Sequence, residues 1–108
     1  MSTKTLTRKR KVTKTVRLPQ YNVILLDDND HTYDYVIEML VQLFNHSPIV
    51  AYKMACEVDS TGRVIVDTTH KERAEFKRDQ ILAYGPDWRL TRSQGSMEAI
   101  LKPAETNK

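Results

Sequence analysis

Apolar positions come in short blocks from Tyr21 onward, and their spacing changes from block to block. Val23-Ile24-Leu25-Leu26 is a continuous apolar run, the pattern of a strand buried on both faces. After a polar break, Val36, Met39, Leu40, Leu43 and Phe44 recur at helical spacing and predict one buried stripe. Thr32 stands at the N-cap of that helix, and Asp34 falls in its first turn, where the helix dipole favours an acid. Asn45-His46 interrupts the pattern. Ser47-Pro48 reopens it with a cap and a proline at the first helical position, and Ala51, Met54, Ala55 and Val58 form the next apolar face.

Asp59-Ser60-Thr61-Gly62 reads as a turn. Val64 and Val66 alternate with Arg63 and Asp67, as in a strand with one wet face. Thr69 followed by Glu72 predicts a capping box for a third helix, running to about Tyr84 and stopping at Gly85-Pro86. Its apolar stripe is weak, with Ala74 and Ile81 the clear members. Beyond a loop containing Trp88, alternation at Met97, Ala99 and Leu101 predicts a last strand. The element order is β-α-α-β-α-β, a small open sheet with helices on one face. A mixed strand order is expected, which periodicity does not fix.

Length and charge refine this picture. The 108 residues suit one small domain. Residues 1–20 hold seven bases and no acid, while the remainder holds ten bases against 14 acids. The net charge of +3 therefore describes a basic arm, residues 1–19, on a mildly acidic domain, residues 20–104, with a tail at 105–108. The arm mixes Lys, Arg and Thr with few apolar residues and is expected to be disordered. It reads either as a solubilising extension or as a contact for nucleic acid or an acidic partner; the acidic domain argues against nucleic-acid binding. No apolar run approaches the roughly 18 residues that span a bilayer, and no signal region is visible. The single Cys56 allows no internal disulfide and no cysteine zinc cluster, which fits the cytoplasm. His31, His46 and His70 lack metal-ligand spacing, and no cofactor is expected.

The densest polar cluster is Asp27-Asp28-Asn29-Asp30-His31, between the first strand and the first helix. Its spacing does not fit an EF-hand loop, and the chain has no phosphate-cradling glycine loop and no nucleophile with a matching base. Metal binding or acid–base catalysis, binding of a cation or amine, and a plain turn all remain open for this cluster. Asp59 stands at the end of the second helix, where the dipole disfavours an acid. Tyr33, Val36, Ala55, Val58 and Met97 line one pocket if the first two helices pack beside the last strand, and are ordinary core otherwise. Glu72, Glu75, Lys77 and Arg78 make the third helix strongly charged, as a solvated face or a docking surface.

Four segments in order carry a resemblance. Tyr21-Asn22-Val23-Ile24-Leu25-Leu26-Asp27-Asp28 and Tyr35-Val36-Ile37-Glu38-Met39-Leu40 resemble the opening of ClpS, the adaptor of the Clp protease, whose typical form is Y-x-V-I-L-x-N-D-D followed by x-F-V-I-x-x-L. Val58-Asp59-Ser60-Thr61-Gly62 is similar to its V-H-x-x-G, and Ala74-Glu75-Phe76-Lys77 to its A-E-x-K. The resemblance covers roughly residues 20–104. It implies an α+β domain with a three-stranded antiparallel sheet and three helices. It also implies a monomeric, non-enzymatic adaptor that binds the N-terminus of a substrate with a bulky apolar first residue, an N-degron. The substrate is then handed to a ClpA- or ClpC-type ATPase for degradation by ClpP. Neither nucleic acid nor membrane enters this role. The alternative is a peptide- or protein-binding module on the same scaffold, with changed ligand specificity and no delivery.

By the same resemblance Asp27, Asp28, Asn29 and Asp59 would hold the substrate amine, and Tyr33, Val36, Ala55, Val58 and Met97 its side chain. Glu72 and Lys77 would contact the ATPase, and the arm would act on it as well. The departures fall at the recognition site. The family's Asn-Asp-Asp is Asp27-Asp28-Asn29, its pocket-edge His is Asp59, its gating Met is Tyr33, a Met of its second helix is Ala55, and a Leu near its C-terminus is Met97. Val36 and Val58 are kept. The scaffold thus resembles a divergent ClpS branch with a rebuilt site.

Overall fold

A computed structural model describes residues 18–104; the arm expected at 1–19 lies outside them up to residue 17, and the tail at 105–108 lies outside entirely. The elements are β1 (Gln20–Leu26), α1 (Tyr33–Phe44), α2 (Pro48–Thr61), β2 (Arg63–His70), α3 (Lys71–Leu82) and β3 (Ala99–Pro103). The fold is α+β in the expected order. The strand order is β2-β1-β3, so the first strand is central, and both pairings are antiparallel.

β1 is apolar from Val23 to Leu26, after a polar opening with Gln20 and Asn22. Val23 and Leu25 are fully buried under the helices, with Val64, Val66 and Ala99 from the flanking strands. Ile24 points away from that core, yet it is only 3% exposed, because it pairs directly with Ile65 on one side and Ile100 on the other. A bulge between Val23 and Ile24 leaves Val66 as the extra residue of β2 and aligns Asp67 with Val23.

Local chemistry sets the helix ends. Thr32 caps α1, its side chain accepting from the Tyr35 amide, and Asn45 closes it in the left-handed region (φ 59°) with its amide on the Val41 carbonyl. Ser47 caps α2 ahead of Pro48. That helix continues through Asp59-Ser60-Thr61, which the sequence pattern assigns to a turn, and ends on Gly62 at φ 90°. The reason is that the chain reverses on the one residue able to adopt a positive φ without strain. The expected capping box at Thr69 does not form. β2 carries the chain through His70, which is the N-cap of α3 and makes no side-chain cap bond; Thr69 reaches only the His70 ring. Pairing of Tyr21 with Thr69 and Gln20 with His70 holds both residues in the sheet. α3 ends at Leu82, ahead of the Gly85-Pro86 stop. Met97 precedes β3 rather than opening it, and is buried against the core.

Residues 83–98 form an irregular loop with a polar anchor. Asp87 is buried, and its carboxylate accepts from the Thr32 amide and hydroxyl (2.7 and 2.8 Å) and from the Arg89 amide and guanidinium (3.0 and 3.1 Å). Burial alone would raise its pKa, but these four donors outweigh burial and hold the carboxyl at about 2. The anchor ties the start of α1 to the loop before β3.

Candidate functional site

β1 delivers the polar cluster to the top of the sheet. Its end is held on both sides: the Leu26 amide donates to the Glu98 carbonyl and the Asp27 amide to the Gly62 carbonyl, each at 3.0 Å. The cluster therefore sits between the end of α2 and the segment entering β3, with the start of α1 above it. A cavity of about 180 Å³ opens there. Asp27, Asp28, Asn29 and Asp59 line its polar side, and Val36, Ala55, Val58 and Met97 its apolar side, with Tyr33 at the mouth and His31 and Thr32 completing the wall. The nine residues assigned to amine and side-chain binding are thus brought to one cavity. The apolar four are buried core residues that expose an edge to it.

The acids differ in what they face. Asp28 is committed to its own loop: it accepts from the Asp30 amide at 2.9 Å and meets the His31 ring at 2.7 Å. His31 is buried, with Asp28 on Nδ1 and the Gly95 carbonyl on Nε2 at 2.7 Å. Both ring nitrogens face acceptors, so the imidazole stitches the cluster to the 83–98 loop. Arg92 adds a second stitch, donating to the Asn29 carbonyl and, at 3.1 Å, to the Asp30 carboxylate. Asp27 and Asp59 have no cationic partner among the described residues. Burial first, then the neighbouring Asp59 and Asp28 charges, push the Asp27 carboxyl above the ordinary carboxylate value. Among the described residues the only side-chain donor on Asp59 is the Tyr33 hydroxyl at 2.7 Å, and that bond pushes the Tyr33 phenol up to about 12.

A pair of carboxylates without a cation, over an apolar floor, suits a ligand with a positive head and a nonpolar body. Among the described residues no group of three or more His, Cys, Asp or Glu side chains is placed to hold a metal ion. Glu72 and Lys77 lie elsewhere, on α3. Glu72 is exposed. The Lys77 ammonium donates to the Leu43 carbonyl at the end of α1 and sits near the Phe44 and Phe76 rings, so it also has a structural task.

Sequence reasoning missed His31, Thr32 and Asp87 as parts of this site. His31 belongs to the polar cluster by sequence, but its pairing with Asp28 and the loop carries no local signal. Its role depends on Gly95, 64 residues away. Asp87 carried a local signal, since an acid directly after Pro86 suits an Asx-type turn. Its bond to Thr32 had none.

Fold and cavity together define a small α+β domain that presents one acidic-rimmed apolar pocket at the end of its central strand. The model of the family ClpS, ATP-dependent Clp protease adaptor protein, matches residues 17–87, and the chain belongs to that family. Among solved structures, Agrobacterium tumefaciens ClpS2 bound to L-phenylalaninamide is similar in fold, with a TM-score of 0.70 at 19% identity, covering 82% of this chain and 100% of that one. Members of the family are adaptors rather than enzymes. Among the described residues no helix is long and apolar enough to cross a membrane.

Proposed function

We propose that this chain binds the free N-terminus of substrate proteins and delivers them to a ClpA- or ClpC-type ATPase in the cytoplasm. The carrying observation is the cavity, where two carboxylates without a cationic partner among the described residues stand over Val36, Ala55, Val58 and Met97. An α-ammonium offers three donors to Asp27, Asp59 and the Asn29 side chain, while a bulky apolar first residue fills the floor. The likeness to a relative bound to an aromatic amino-acid amide supports the same division of labour. Docking of the ATPase on α3 through Glu72 and Lys77, and action of the basic arm on it, complete the reading.

The test is fluorescence anisotropy with peptides that begin with Phe, free or acetylated, at fixed salt. Acetylation removes the charge and two donors, and is expected to weaken binding tenfold or more, since hydrogen bonds to charged groups contribute about 1.5–3 kcal/mol each. Asp59→Asn should weaken binding of the free peptide as well. Equal affinity for both peptides would sink amine recognition. Amine-dependent binding without co-purification of a Clp ATPase would favour the module without delivery.

A further inference from the structure

The start of α1 and the last turns of α2 meet across the mouth of the cavity through one bond, from the Tyr33 hydroxyl to Asp59 Oδ2 at 2.7 Å. We infer that Tyr33 is a positioning residue for the amine site: its hydroxyl aims the Asp59 carboxylate across the cavity at Asp27, so that one ammonium meets both acids. The inference rests on the amine reading given above.

Three observations carry it. Asp59 is exposed in the last turns of α2, and Tyr33 is its only side-chain partner among the described residues. Without that bond its carboxylate is free to turn outward, away from the like charge of Asp27 and toward water. Such a rotation is favoured by repulsion between the two acids. Second, the backbone that carries Tyr33 is anchored. Tyr33 is the first residue of α1, directly behind Thr32, whose amide and hydroxyl are fixed on buried Asp87. Its ring also lies 6.2 Å from the Tyr52 ring. The bond therefore ties an exposed acid to the anchored start of α1. Third, the phenol stays protonated far above neutral pH, because Asp59 raises its pKa to about 12. It remains a donor throughout the range in which an α-amine is charged.

The occupied geometry follows from the same count. A phenol uses one lone pair of Oδ2, which leaves Oδ1 and the second lone pair of Oδ2 for a ligand. Tyr33 and the ammonium thus bind Asp59 together rather than in competition. A hydroxyl that merely plugged the empty site would give the opposite sign, tighter binding on its removal.

A double-mutant cycle tests this, with Tyr33→Phe, Asp59→Asn and both, against free and acetylated Phe-initial peptides. Tyr33→Phe keeps the ring and deletes the donor. It is expected to weaken the free peptide about fivefold and to leave the acetylated peptide unchanged. In the Asp59→Asn background the same change should have less than a twofold effect, because there is no charge left to aim. The Tyr33 ring carbon titration by NMR gives a readout independent of peptide. Its midpoint, pushed up in the native chain, should fall toward the ordinary value of about 10 in Asp59→Asn. Amine-dependent binding with Tyr33→Phe neutral, tighter, or equally harmful in both backgrounds overturns the inference and leaves the amine reading standing. Indifference of the native chain to acetylation overturns both.

Discussion

Two acids of the site region respond to pH with opposite signs. Asp27 is pushed up by burial and by its acidic neighbours. The folded state therefore favours its neutral form, and the charged form lowers stability as pH rises through the raised pKa. Asp27→Asn should raise the melting temperature at neutral pH while weakening amine binding, which calorimetry and anisotropy on one sample will show. Asp87 is held down at about 2 by its four donors. Its contribution, about 2 kcal/mol, is present above the ordinary carboxylate pKa and lost as pH falls from about 4 toward 2. Asp87→Asn should cost about that much at pH 7 in urea unfolding and should flatten the acid limb. The apolar residues of the site were legible in the sequence because they are also core positions on helical stripes. The acids were legible as a cluster, but the separation of loop-holding Asp28 from Asp27 and Asp59, which line the cavity, was not, since it depends on His31 reaching Gly95.

Element boundaries were legible wherever a single residue decides them. Thr32 and Ser47-Pro48 each act within one turn of chain and stand where the pattern placed them, whereas the end of α2 falls at Gly62, after the three residues the pattern assigned to a turn. Gly62 ends α2 at φ 90°, and a Cβ there meets nothing within 4 Å, so Gly62→Ala isolates the backbone term. A loss of about 1 kcal/mol is expected in urea unfolding. Thr69 is the counter-case. Its capping box looked complete in sequence, but pairing with Tyr21 keeps it in β2, because a ladder spanning seven register pairs outweighs one cap. Thr69→Ala should therefore change stability by less than about 0.5 kcal/mol.

On the scale of the molecule, the proposed recognition and docking sites fall on separate elements. The pocket uses α1, α2 and the strand ends, while Glu72 and Lys77 stand on α3. The two α3 residues are unequal probes. Lys77 closes the end of α1 through the Leu43 carbonyl, so reversing its charge perturbs the fold along with any contact. Glu72→Lys avoids this. It should abolish co-purification with the Clp ATPase while peptide affinity stays unchanged and stability falls by no more than about 1 kcal/mol, the effect of a base in the first turn of α3, and retained co-purification would remove Glu72 from the docking surface.

The stitches that His31, Arg92 and Asp87 make to residues 83–98 limit how this specificity can be moved. Exchanging only the pocket-lining side chains onto a sister scaffold would leave the recipient's own loop behind the acids, with no Gly95 carbonyl under the imidazole and no Asp87 under Thr32. Residues 83–98 have to travel with the graft, although only Met97 among them borders the cavity. For the same reason, a directed-evolution library confined to residues in contact with the peptide would miss the positions that hold those residues in register.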